Sequence, residues 1–356
     1  MNSFFNYAPY LLVLSVFYIS CQAVQEDTLF RDLTPEETGI DFANQLEYSE
    51  DFNIIDYLYY YDGGGVAVGD INNDGLSDIY FVSNEGENAL YLNLGNMKFL
   101  DITISAGVAS PNPWKSGVSM ADVNGDGFLD IYLCRLGDYE GITGHNELYI
   151  NQSDLTFKEE ASKYNLDFAG FATQASFFDM DNDGDLDVYM LNHSVHSSKT
   201  FGKTDLRREV DSLAGDRIYR NDNNSFTDIS AASGIYRSQI GYGLGIGHCD
   251  INNDGFTDIF ISNDFTENDY LYINNQDGTF TDVYPEMADH TSLSSMGCDL
   301  ADFNNDGLTD VLTLDMLPAN EIVRKSTIGE DPKEIFDMKL SYGYMPQYKR
   351  NTLQLN

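Results

Sequence analysis

A nine-residue pattern, Asp-x-(Asn/Asp)-x-Asp-Gly-x-x-Asp, occurs five times in this chain and limits what it can fold into more than any other feature. The copies run from Asp70 to Asp78, Asp122 to Asp130, Asp179 to Asp187, Asp250 to Asp258 and Asp302 to Asp310. Side-chain oxygens at positions 1, 3, 5 and 9, with a backbone carbonyl at position 7, make the donor set of a hard cation. Ca²⁺ takes about six to eight oxygens at about 2.3–2.6 Å and tolerates irregular geometry.

The expected ligands are Asp70, Asn72, Asp74, Leu76 (carbonyl) and Asp78 in the first loop, and Asp122, Asn124, Asp126, Phe128 (carbonyl) and Asp130 in the second. The third offers Asp179, Asp181, Asp183, Asp185 and Asp187. The fourth offers Asp250, Asn252, Asp254, Phe256 (carbonyl) and Asp258, and the fifth Asp302, Asn304, Asp306, Leu308 (carbonyl) and Asp310. Glycine at position 6 supplies the sharp turn, because only glycine takes left-handed backbone angles cheaply. An EF-hand would need glutamate at position 12, where this chain has Phe81, Leu133, Met190, Ile261 and Thr313. Plain Asp-Asn-Gly hairpin turns are the simpler alternative, and five copies with carboxylates held at positions 1, 5 and 9 argue against it.

Each loop is followed by a run of branched and aromatic residues, such as Asp130-Ile-Tyr-Leu-Cys134, which reads as a strand. A strand also enters each loop. A third follows as Leu90-Tyr-Leu-Asn93, Leu148-Tyr-Ile-Asn151, Ile218-Tyr-Arg-Asn221 and Leu271-Tyr-Ile-Asn274, and a fourth opens on Phe99, Phe157, Phe226 and Phe280. Four strands per repeat, with loop starts 52 to 71 residues apart, predict an all-β fold of propeller blades. Radial closure hides sheet edges that a flat array would expose; a stacked solenoid is the runner-up. Leu29–Leu33 reads as a fourth strand lacking its blade, and Asn351–Asn356 as a third strand, so five blades are visible. Either the N-terminal strand closes a five-bladed ring or the chain is a C-terminally truncated piece of a larger one.

With 58 acidic and 19 basic residues the formal net charge is −39, which makes nucleic acid and anionic headgroups poor partners. Residues 1–20 carry an apolar core from Tyr10 to Ile19 that suits a signal peptide and is too short to span a bilayer. Residues 21–28 form a short tether, and 29–356 the propeller. The stretch Tyr18-Ile-Ser-Cys21 resembles a bacterial lipobox and implies lipidation at Cys21, although Tyr18 replaces the usual leucine and the segment before it lacks Lys and Arg. Cys134, Cys249 and Cys298 have no zinc-type spacing and read as buried free thiols.

The repeat units resemble FG-GAP or VCBS repeats, which build the seven-bladed propeller of integrin α-subunits. The run Leu58-Tyr-Tyr-Tyr-Asp-Gly-Gly-Gly-Val-Ala-Val-Gly-Asp70, with Asp315-Met-Leu-Pro318 and Tyr348 to Asn356, is similar to the cartilage acidic protein group, where an ASPIC and UnbV domain follows the propeller. The resemblance implies seven blades, and so a fragment here.

In a four-stranded blade the acidic loops, being first–second turns, all lie on one face of the ring. The long second–third connections gather on the other: Arg135 to Glu147, Asn192 to Arg217 and Asp315 to Arg350. Binding concentrates in such loops. His193 and His196 have a spacing that could hold a metal, with solvated histidines the simpler reading; Lys199, Lys203, Arg207 and Arg208 suit internal pairing or an anionic glycan. Tyr57, Tyr59, Tyr60 and Tyr61 suit packing or sugar stacking, and Asp331 to Leu340 a helix packing through Ile335, Met338 and Leu340. The expected function is an exported, calcium-stabilised, monomeric module at the cell surface that binds protein or glycan. The alternatives are a polysaccharide-directed enzyme and a structural scaffold for a further domain.

Overall fold

The computed structural model describes residues 29–50, 52–195, 202–327 and 331–356. Four sheets of four antiparallel strands follow one another along the chain. The first holds β1 (Val66–Gly69), β2 (Asp78–Phe81), β3 (Ala89–Asn93) and β4 (Phe99–Asp101). The second holds β5 (Lys115–Ala121), β6 (Asp130–Arg135), β7 (Glu147–Asn151) and β8 (Phe157–Glu159). The third is β9 (Ala172–Phe178), β10 (Asp187–Asn192), β11 (Arg217–Asn221) and β12 (Phe226–Asp228), and the fourth β13 (Gly243–Cys249), β14 (Asp258–Asn263), β15 (Tyr270–Asn274) and β16 (Phe280–Asp282). A short parallel pair joins β17 (Thr291–Ser292) to β20 (Gln347–Tyr348), and a fifth sheet holds β18 (Gly297–Ala301), β19 (Asp310–Leu314) and β21 (Thr352–Gln354).

The burial of each strand follows its place in the blade. Every residue of β6, β10 and β14 is buried, because a second strand is covered on both faces by neighbouring sheets. In β4, β8 and β12 only the leading phenylalanine is buried, as expected at an outer edge. The inner strands pack in succession, β1 on β5, β5 on β9, β9 on β13 and β13 on β18. They approach so closely that a Cβ on Gly117 would lie 2.1 Å from the Thr173 carbonyl oxygen. No comparable packing brings β18 back to β1 among the described residues, and Val66 and Val68 of β1 stay exposed. The described residues form a propeller-like array of five sheets.

Two expectations need correction. Residues 29–33 form no strand, and Leu29 and Phe30 are exposed. The helix that follows, Pro35–Thr38, is fastened to the first sheet: Phe42 stacks on Phe81 at 5.1 Å and Asp41 accepts from the Tyr91 hydroxyl at 3.0 Å. The segment therefore starts beside the first sheet rather than along the fifth. The expected helix near the C-terminus spans Lys333–Tyr342, but of the three expected packing residues only Met338 is half-buried while Ile335 and Leu340 are exposed, and the inward side also carries Phe336 and the Lys339 stem. The Lys339 ammonium reaches Asp331 and Gln347, so a charged side chain with partners takes the place expected for an aliphatic one.

Candidate functional site

All five acidic loops connect the first and second strands of their sheets, so they share one face. Within each, the position-1 carboxylate accepts from two backbone amides. Asp70 receives Asp74 N at 3.1 Å and Gly75 N at 2.7 Å, and Asp250 receives Asp254 N at 2.9 Å and Gly255 N at 2.8 Å. Position 6 is left-handed throughout, with φ from 86° at Gly75 to 96° at Gly184. The turn is thus pulled around an aspartate.

Position 9 has a second task that the pattern alone does not disclose. Asp78, Asp130, Asp187, Asp258 and Asp310 are buried, and each accepts one amide from loop position 2 and one from the end of the third strand. For Asp130 these are Val123 N at 3.0 Å and Asn151 N at 2.8 Å; for Asp310 they are Phe303 N and Asn356 N, both at 3.0 Å. In the second, fourth and fifth sheets the strand-ending asparagine then reaches the loop of the preceding sheet. Asn151 Nδ2 donates to the Ile71 carbonyl, Asn274 Nδ2 to Met180 and Asn356 Nδ2 to Ile251, each at 2.8 Å. Sequence reasoning passed over these asparagines although the signal was present, an Asn closing each third strand.

The third loop gathers its carboxylates most tightly. Ligand atoms of Asp179, Asp181 and Asp187 all lie within 4.8 Å of one another. Asp181 Oδ1 and Asp185 Oδ1 are buried without a hydrogen-bond partner. Burial, then the neighbouring Asp183 and Asp179 charges, push the Asp181 carboxyl up, and burial pushes Asp187 up to about 7. Orphaned oxygens among crowded carboxylates fit a divalent cation, whose charge would reverse that trend. In the other four loops the position-3 residue is Asn72, Asn124, Asn252 or Asn304, whose Nδ2 donates to the position-5 aspartate at 2.9 to 3.1 Å. Those loops hold fewer charges and already satisfy part of them internally. Their side chains and the carbonyls of Leu76, Phe128, Phe256 and Leu308 still offer oxygen donors alone.

On the opposite face the insertions meet. Tyr139 and Ile142 of the second sheet's insertion and Leu213 and Val195 of the third's pack around Tyr57, Tyr59, Tyr60 and Trp114. Thr204 Oγ1 donates to the Tyr342 carbonyl at 3.0 Å, joining the third insertion to the fifth. Tyr57, Tyr59 and Tyr60 are buried and only Tyr61 of that run is exposed, so packing is their main use. His193 is buried with its ring 3.8 Å from that of Tyr59, an aromatic contact rather than an open metal site; His196 and Lys199 lie outside the described residues, as does Cys21. Arg207 is paired with the buried Glu267, its Nε donating at 2.7 Å, and lies near Tyr344, which is the internal pairing expected. Cys134, Cys249 and Cys298 are free thiols, but only Cys134 is buried as expected, Cys249 and Cys298 being half-buried.

Beside Tyr57 and Tyr59 a cavity of about 360 Å³ opens between the inner strands, called the axial cavity below. Residues of four sheets reach it, among them Val66, Gly117, Thr173 and Leu244, together with Met296 just before β18. Sequence reasoning missed it because its lining comes from segments far apart in the chain.

Consecutive four-stranded sheets tied through first–second acidic loops define an FG-GAP-type β-propeller. The FG-GAP-like repeat family matches at residues 70–133, 137–190 and 250–313, a little over half of the chain, and the chain belongs to that family. It is similar to cartilage acidic protein 1 of Mus musculus, 36% identical over 140 residues, covering 38% of this chain and 20% of that protein. The Homo sapiens protein of the same name is 34% identical over 143 residues, covering 39% and 20%. The match thus spans a fifth of these relatives' length. Among solved structures, an Agrocybe aegerita lectin described as recognising non-reducing terminal N-acetylglucosamine is 20% identical with a TM-score of 0.40, covering 69% of this chain and 59% of that one. The V. cholerae biofilm matrix protein Bap1 is 16% identical with a TM-score of 0.36, covering 70% and 34%.

Proposed function

We propose that this chain is a binding module of an exported protein, in which calcium in the acidic loops braces the sheets and the insertion face takes a protein or glycan ligand. The observation that carries it is the division of labour between the faces: repeated oxygen-only loops on one, joined insertions around a cavity on the other. Calcium acts on folding in this reading. A site with a dissociation constant of ~10 μM in ~1 mM Ca²⁺ would add about 2.7 kcal/mol. Export rests on the apolar core Tyr10 to Ile19 and a lipid anchor on Cys21. Thermal unfolding of residues 22–356 tests the calcium part. Millimolar Ca²⁺, but not Mg²⁺, is expected to raise the midpoint by several degrees over excess chelator, and an unchanged midpoint in a folded sample would refute it. Ligand screening with calcium present tests the binding part, and turnover of a polysaccharide abolished by changing one carboxylate outside the loops would favour the enzyme alternative instead.

A further inference from the structure

The axial cavity has an unusual lining. Tyr57, Tyr59 and Trp114 form its aromatic wall, with Tyr57 edge-on to both others at ring-centroid distances of 6.0 Å and 5.9 Å. Trp114 holds φ at 68°, a left-handed conformation that is strained for a bulky residue. Its amide is pinned to the Asn84 carbonyl at 2.5 Å and its carbonyl to Leu136 N at 3.0 Å. Surrounding structure therefore forces this ring into the cavity wall.

The carboxylates beside that wall have no ion-pair partner among the described residues. Asp62 lines the cavity, and Asp264 stands behind the wall, accepting from the Tyr59 hydroxyl at 2.9 Å. Neither carboxylate has a Lys or Arg within ion-pair distance among the described residues. The one lysine in the lining, Lys115, spends its ammonium on the carbonyls of Gly86, Ser110 and Asn112 at 2.8 to 2.9 Å, none of which lines the cavity. Desolvation in the concave mouth, then the Asp264 charge, push the Asp62 carboxyl up to about 6, the direction a bound cation would reverse.

Aromatic faces beside an unpaired carboxylate attract alkylammonium groups through the ring quadrupole and direct charge. We infer that the axial cavity, walled by Tyr57, Tyr59 and Trp114 with Asp62 at its mouth, binds an alkylammonium group. This rests on the reading of the chain as a binding module and names the ligand chemistry of one of its sites. The group arrives as a free amine or as a lysine side chain of a protein ligand.

Trp114 is the chain's single tryptophan, so its fluorescence reports on the cavity directly. The full chain would be titrated in calcium with tetramethylammonium and n-butylammonium chloride, against NaCl at matched ionic strength and n-butanol as the neutral analogue. A saturable change with the two cations alone is expected, weakened at least tenfold in Asp62→Asn and restored in Asp62→Glu, with far-UV circular dichroism confirming that each variant is folded. Spermidine and a lysine peptide, the latter with and without acetylated Nε, separate the two sources. No saturable change beyond the NaCl control, an unchanged response in folded Asp62→Asn, or an equal response to n-butanol would overturn the proposal. So would a response to N-acetylglucosamine without one to cations, and that result would leave the binding-module reading standing.

Discussion

At the level of single residues, the five position-9 aspartates have a role separate from any cation. Asp130 is fully buried with both carboxylate oxygens occupied by backbone amides, whereas Asp126 in the same loop is exposed. Asp130→Ala strands two amides and is expected to cost about 2–5 kcal/mol with or without calcium. Asp126→Ala loses only exposed bonds from Asn124 Nδ2 and Phe128 N, so its cost in chelator should be smaller than that of Asp130→Ala, and urea unfolding in Ca²⁺ and in chelator separates the two. Asp216 offers a pH test outside the loops. Burial pushes it up to about 7, and its carboxylate accepts from the Tyr189 hydroxyl at 2.7 Å and Asn192 N at 2.8 Å. A carboxyl whose folded pKa lies above the unfolded value of about 3.9 favours folding in its protonated form. Its contribution is complete below pH ~4 and lost as the pH rises through ~7. Asp216→Asn is therefore expected to flatten the fall in stability between pH 4 and 7, measured by denaturation at each pH; an unchanged slope would refute this.

Between elements, the sheets are joined by two devices of different kinds. One is polar, the asparagine that ends a third strand and reaches back to the preceding loop; Asn274→Ala is expected to lose about 1–2 kcal/mol from its bonds to the Met180 and Thr257 carbonyls. The other is steric. Gly117→Ala would drive a methyl group to 2.1 Å from the Thr173 carbonyl oxygen, and neither strand can retreat without losing the β5–β9 contact. A loss of at least 2 kcal/mol in equilibrium unfolding is expected, well beyond the ordinary overpacking of a flexible side chain. The strand runs and their order were legible in the repeat, because branched and aromatic residues between Asp-Gly turns have few other uses. The inward side of Lys333–Tyr342 was not legible. An apolar pattern suggested Ile335, Met338 and Leu340; Met338 is half-buried, but the pairing of Lys339 with Asp331 and Gln347 turns Ile335 and Leu340 outward through partners outside the helix pattern.

For the whole molecule, the net charge of −39 opposes compactness by self-repulsion. Raising NaCl from 50 to 500 mM in chelator is expected to raise the unfolding midpoint, since screening relieves that repulsion; a fall would show that attractive surface pairs dominate. The sequence by itself determined the blade repeat, the oxygen donors of each loop and the face on which the loops lie, because these follow from spacing within about fifty residues. Tertiary structure alone decided the rest. It made the position-9 aspartates hubs of two amides, brought Tyr59, Asp62 and Trp114 to one cavity, and paired Tyr59 with Asp264. Those outcomes depend on which segments meet when sheets pack side by side. The distances that matter there, such as the 2.9 Å from Tyr59 to Asp264, join residues 205 positions apart, and no local pattern encodes them.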